Sequence, residues 1–195
     1  MLEGVQGMTR GSQLCPTLLR AWHTTNQVTI HLVERIPPGL WTAAIPGVPN
    51  RTVRMIASHL HNARCRWIKT LGREHGIIAP VRVAQRTVTC RQLAAALQRS
   101  GLGIGAILAL GLANGGVVPE SRGYVWRNLP LDVGHVLAYF VAHEAHHRGQ
   151  IVMAAKQLGQ RLPAKVVNDL WQWTRLVKEA GPPRRQPRTA KRKRA

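Results

Sequence analysis

LDVGHVLAYFVAHEAHHRGQIVMAAKQLG, residues 131–159, decides how this chain folds. Asp132 stands where a helix N-cap belongs, its short carboxylate able to accept from free backbone N–H groups, and Gly159 stands where such a helix would stop. Between them Val133, Val136, Leu137, Phe140, Ile151, Ala154, Ala155 and Leu158 recur at helical spacing and mark one apolar face. His143 and His147 sit one turn apart, about 40° from each other around the axis, at one edge of that face. His146 and His135 point away from it. Two imidazoles at i and i+4 can share one metal ion. Glu144 also turns inward, and three polar groups on a buried stripe are costly unless something pairs with them. A metal ion is the expected partner of the histidines, whereas Glu144 and Arg148, also i and i+4, suit an ordinary helix salt bridge.

Working outward, three more long helices are predicted. One runs from Pro16 to Ile36, where Pro37-Pro38-Gly39 stops it. The next follows Asn50 as N-cap and carries Val53, Ile56, Ala57, Leu60, Ala63, Trp67, Ile68 and Leu71 as far as Gly72. The third starts near Thr89, shows Leu93, Leu97, Ile104, Ile107 and Leu108, and decays into a Gly-rich stretch from Gly111. A single short amphipathic helix over 165–180 follows the best-defined segment. No pair of alternating strands is evident, and helices joined by short Pro/Gly loops predict an all-α chain, an antiparallel bundle with a short extra C-terminal helix. The expected division is a flexible N-terminus over 1–14, a helical domain over 15–180 and a disordered basic tail over 181–195.

Composition narrows the chemistry. The chain has 28 Lys plus Arg against 8 Asp plus Glu, with nine His and a formal charge of +20. Calcium or magnesium cages need carboxylates in numbers this chain lacks, so metal chemistry should run on imidazole. Cys15, Cys65 and Cys90 form no CxxC pair, which argues against a disulfide framework or zinc knuckle and favours a reducing, cytoplasmic compartment. Cys65 and Cys90 read as small core residues, with no inward base beside them in sequence. The N-terminus has no secretory layout. The uncharged stretch 101–119 has membrane-span length but contains six glycines and Asn114, and reads as a core helix running into a loop. The tail, PPRRQPRTAKRKRA, holds seven basic residues and no acid, and it adds to a positive field that the rest of the chain already has. Weak, nonspecific nucleic-acid contact follows from that charge. The six tryptophans read as core or loop anchors.

A third metal ligand should come from another helix, with one coordination position left open for water or substrate. His59 and His61 are the candidates; they lie about 200° apart on their helix, so only one can join, and the other sits at the solvent margin. Spacing does not choose between them, and His31 or His135 would be the next to consider. Such a site would acidify water or a thiol near neutral pH. Glu144 could accept a proton or orient an imidazole N–H.

The run His143-Glu-Ala-His-His-Arg-Gly-Gln-Ile151, with Gln157-Leu-Gly159 after it, resembles the final-helix motif of the DinB/YfiT-like superfamily. Ser58-His-Leu-His-Asn-Ala-Arg64 resembles that superfamily's second-helix motif. The resemblance covers about residues 15–180. It implies a four-helix bundle, usually a homodimer, with His59, His143 and His147 holding a divalent metal such as zinc or nickel, and His61 in the surroundings or at the surface. It further implies a small-molecule substrate, with a low-molecular-weight thiol activated for transfer or isomerisation, or a hydrolase activity. The basicity and the Arg/Lys tail depart from the usual pattern.

Two other readings compete. His143-Glu-Ala-His-His147 satisfies HExxH, the zinc-peptidase helix in which Glu is the general base. The metzincin extension would place Gly and His where Gln150 and Met153 stand, and a downstream carboxylate ligand could only be Asp169, since no Glu lies between 144 and 179. Di-iron carboxylate bundles need two Glu-x-x-His units, and only Glu144 to His147 fits. The second alternative is a non-enzymatic, basic, helical nucleic-acid-binding protein, for which no recognition motif is apparent. A structural metal in a scaffold is a variant of the first reading.

Overall fold

The computed structural model describes residues 10–125 and 127–179. Among them the chain is all-helical, its only β-pairing being the isolated bridges Ala44–Thr52 and Val117–Asp132. Seven α-helices follow in order: α1 Arg10–Glu34, α2 Pro38–Trp41, α3 Val53–Gly72, α4 Cys90–Ala113, α5 Val133–Gln157, α6 Ala164–Asp169 and α7 Trp173–Glu179, with a 3-10 turn Arg73–His75 extending α3. The expected basic tail, residues 1–9 and Trp126 lie outside the described residues.

Local chemistry explains most of these bounds and corrects several of the predicted ones. Helix α1 begins at Arg10, inside the predicted flexible N-terminus, and Pro16 lies within it instead of opening it. A proline in the second turn forfeits one hydrogen bond without stopping the helix. Its end falls at Glu34 because Pro37 disfavours helical backbone before it. The cap of α3 is Thr52, whose Oγ1 accepts from Met55 N at 3.3 Å, and not Asn50. Asn50 instead takes a left-handed φ of 58° in the turn that leads in. Thr89 and Gln92 form a capping box on α4, and Asp132 caps α5 as predicted, accepting from His135 N at 3.0 Å. The single C-terminal helix predicted over 165–180 is two, α6 and α7, broken at 170–172. The Asp169 carboxylate holds that break, taking Lys165 at 3.0 Å from one side, Arg175 at 3.2 Å from the other and His31 of α1 at 3.5 Å.

Two glycines of α4 are close-approach points. A Cβ on Gly101 would lie 2.5 Å from Asn26 Nδ2, and one on Gly103 2.6 Å from Ile68 Cδ1, so α1 and α3 pack tightly against α4 on two different sides. Trp22 Nε1 donates to the Gly101 carbonyl at 2.8 Å. Helix α4 is also the one described helix long and apolar enough to cross a membrane, and 56% of its most apolar window is buried within the protein.

The four long helices contribute to two apolar clusters. One gathers Leu32, Leu40, Leu60, Leu93, Leu97 and Ile151; the other gathers Trp22, Ile68, Ile104, Ile107, Val136 and Phe140. Helices α1 and α5 run from the second cluster to the first, and α3 and α4 run from the first to the second. Between the two stretches on each helix falls a buried polar layer: Thr25, Asn26 and Thr29 on α1, His61 and Arg64 on α3, Ser100 on α4, and Glu144, His147 and Arg148 on α5. That layer positions the site.

Gly101→Ala is expected to lower folding stability by about 1–3 kcal/mol, because the added methyl displaces Asn26 from its partners. Gly149→Ala, which meets no atom within 4 Å, should raise stability by about 0.5–1 kcal/mol through helix propensity alone. Urea denaturation of the two variants beside the parent checks both signs.

Candidate metal centre

Helix α3 delivers His59 and helix α5 delivers His143 and His147 to one place, where the nitrogen atoms that could serve as ligands all lie within 4.8 Å of one another. The ring centroids are 5.4 Å apart for His59–His143, 4.7 Å for His59–His147 and 4.6 Å for His143–His147. Tetrahedral ligands about 2.0–2.1 Å from an ion stand roughly 3.4 Å from each other. Rotation of the rings about χ1 and χ2 spans the difference.

The electrostatics suit a cation that needs lone pairs. Burial, together with the charges of His147 and His143, pushes the His59 pKa down to about 4. Burial also lowers His143, with His147 adding to the effect, and lowers His147 against the opposing hydrogen bond to Gln150. Near pH 7 all three rings are therefore neutral, the state in which imidazole offers a ligand. His147 Nδ1 donates to Gln150 Oε1 at 2.7 Å, which leaves Nε2 with its lone pair, and Gln150 Nε2 donates in turn to His146 Nε2 at 3.0 Å. Tyr139 stacks on His143 with ring planes 15° apart. A cavity of 830 Å3 opens beside the cluster, lined by His147, His146, Arg51, Ile45, Ile56 and Met153 among others, and none of its lining residues is acidic.

The other predicted candidates go elsewhere. His61 is fully buried, correcting its expected place at the solvent margin or surface. Its Nδ1 lies 3.0 Å from Ser100 Oγ, and its Nε2 donates to the Val81 carbonyl at 3.0 Å, since a carbonyl oxygen can only accept. It thereby ties the segment after the 3-10 turn to α3 and α4, with Asn62 making a second tie to Val83 through both its amide atoms. His135 pairs with Asp132, and His31 stands beside Asp169. The sequence shows no base next to Cys65, yet His61 Nε2 lies 3.3 Å from its Sγ; burial raises this thiol's pKa, so it stays protonated.

Glu144 is the largest correction. It is neither an i, i+4 salt bridge to Arg148 nor a proton acceptor at the site. Its carboxylate is fully buried and clamped by Arg64, with Nε to Oε1 at 2.9 Å and Nη2 to Oε2 at 2.8 Å. Thr29 Oγ1 donates to Oε2 at 2.7 Å and accepts from Arg148 Nη1 at 2.9 Å. Arg64 Nη1 further donates to Asn26 Oδ1 and the Leu97 carbonyl, and its guanidinium lies 5.0 Å from the Trp22 ring. Burial alone would raise the Glu144 pKa, but Arg64's charge and the hydrogen bonds from Arg64 and Thr29 hold it below its usual value. Both oxygens are thus occupied, and the base that the zinc-peptidase reading requires is absent from the cluster. Sequence reasoning missed Arg64 and Thr29, because nothing local connects residues this far apart in the chain.

Residues 123–184, about a third of the chain, match the model of the DinB family. The matched segment contains α5 with His143 and His147 and leaves His59 outside it. No curated protein and no solved structure matches.

Glu144→Gln should destabilise the protein by about 3–5 kcal/mol, since it leaves two buried guanidinium groups without their counter-charge; the chemical-denaturation midpoint reads this. A pH effect follows from His23, His59, His61, His143 and His147, all with pKa values lowered by burial. Their unfolded forms take up protons from 6.5 downward while the folded forms resist. Their contribution is therefore complete above 6.5 and is lost as pH falls from there through the folded values, about 4 for His59. Chelator-treated protein should show a lower urea midpoint at about pH 5 than at about pH 7.5.

Proposed function

We propose that this DinB-like chain is a metal-dependent protein that binds one divalent transition metal, zinc or nickel, through His59, His143 and His147. The long helices would form the antiparallel four-helix bundle of that superfamily, assembled as a homodimer in the cytoplasm. The observation that carries the reading is the convergence of three neutral imidazoles from two helices on one point, with the neighbouring carboxylate held elsewhere. Three nitrogen donors and no acid match a borderline-soft cation and not calcium or magnesium.

When bound, the metal would act as a Lewis acid that lowers the pKa of a thiol or water at its open position. The chain's own groups do the remaining work. Gln150 holds His147 in one tautomer, and Tyr139 fixes the plane of His143. The cavity beside the cluster offers Ile45, Pro46, Val48, Ile56 and Met153 to an apolar body and Arg51 to an anionic group. A small molecule reacting with a low-molecular-weight thiol fits this lining better than a peptide does, because Glu144, the general base of the peptidase reading, is sealed in the core.

Elemental analysis of untagged protein should find about one zinc or nickel per chain. His143→Ala, His147→Ala and His59→Ala should each abolish it, while His146→Ala and His61→Ala retain it; full occupancy in the first three would refute the ligand set. Gln150→Leu should weaken metal affinity by about 10–100-fold without abolishing it.

The net charge of +20 supports a second property, weak binding of polyanions. Retention on immobilised DNA should fall steeply with added salt and persist after metal removal. Deleting residues 182–195 should reduce it.

A further inference from the structure

The buried polar layer holds two guanidinium groups and one carboxylate. Arg64, Glu144 and Arg148 are 1%, 0% and 9% exposed. Arg64 engages both Glu144 oxygens directly, so Arg148 reaches that carboxylate only through the Thr29 hydroxyl. Among the described residues, the bond from Nη1 to Thr29 is the only hydrogen bond Arg148 makes, and no carboxylate forms an ion pair with it. An excess buried cation is costly unless an anion meets it.

A cavity of 220 Å3 lies against Arg148, walled by Val28 of α1, Val152 of α5, Leu170 after α6, and the indoles of Trp171 and Trp173. It shares only Gly149 with the cavity next to the histidines. Its outer wall is anchored: Asp169 joins α6 to Arg175 of α7 and to His31 of α1, and Trp173 Nε1 donates to the Leu170 carbonyl. Trp171 nevertheless stays 78% exposed, an indole face without cover.

We propose that Arg148 and this cavity form a second ligand site, separate from the histidine cluster, for a small monocarboxylate with an apolar body. The planar carboxylate matches the free edge of the guanidinium. The valines, Leu170 and the two indoles take the hydrocarbon part, and a dianion such as phosphate would lose its hydration against these walls with one cation to offset it. The volume lies below the roughly 300–1,000 Å3 of sites for drug-sized molecules, so the ligand is of the size of benzoate or hexanoate.

The test is titration of the full chain with sodium benzoate and sodium hexanoate, with benzyl alcohol as the uncharged comparison, followed by calorimetry and tryptophan fluorescence. It is run with and without prior chelation. Saturable binding of one carboxylate per chain is expected, unchanged by chelation, with benzyl alcohol at least about ten-fold weaker. Arg148→Met should weaken benzoate by about ten-fold or more while circular dichroism stays that of the parent. Trp171→Gln, at an exposed position, should weaken it as well and carries the test if Arg148→Met does not fold. The proposal is overturned if no carboxylate binds at millimolar concentration, if the Trp171 variant binds as the parent does, or if binding disappears with the metal.

Discussion

The ion pair between Arg64 and Glu144 is the constraint on which the arrangement rests. Neither group is exposed, so each must find the other or leave a bare charge in the core. Glu144 adjoins His143 in the chain, and Arg64 lies little more than one helical turn beyond His59. The clamp therefore fixes the register of α3 against α5, and with it the point where the imidazoles meet. It also divides the labour among the polar side chains of α5. The carboxylate goes to cohesion, and the site next to it is left with nitrogen donors alone.

Much of this was legible in the chain. The cap at Asp132, the apolar face of α5 and the shared side of His143 and His147 are local patterns, and local patterns survive folding. The choice between His59 and His61 was not local. Both flank the same stripe, and what separates them is Ser100 and the Val81 carbonyl, supplied by α4 and by a segment with no periodicity to read. The start of α3 lies two residues beyond the cap the sequence predicts because Asn50 and Thr52 are both good caps, and the left-handed turn takes the first. The close approaches at the α4 glycines are not legible for a related reason: the cost of glycine to an isolated helix is visible in sequence, whereas the neighbours that exploit its smallness are not.

Scarcity of acid gives the carboxylates that exist unusual weight. Asp132 starts a helix, Glu144 clamps two helices, Asp169 fastens the C-terminal pair to α1, and Glu74 accepts from the Arg122 backbone at 3.2 Å. Each stands at a junction. The linings of the two cavities flanking α5 are free of negative charge, and both present a cation or an imidazole to whatever enters. A positive chain whose two cavities beside α5 are lined by no acid favours electron-rich guests on both sides of that helix.

The apolar character of α4 has a consequence for how the protein is made. Its principal partners, α1 and α3, both precede it in the chain. As a ribosome releases the polypeptide from its N-terminus, those two faces emerge before the segment they will cover. The stickiest stretch thus meets its own kin first, and its time as a target for bilayers or aggregation is shortened by the order of synthesis.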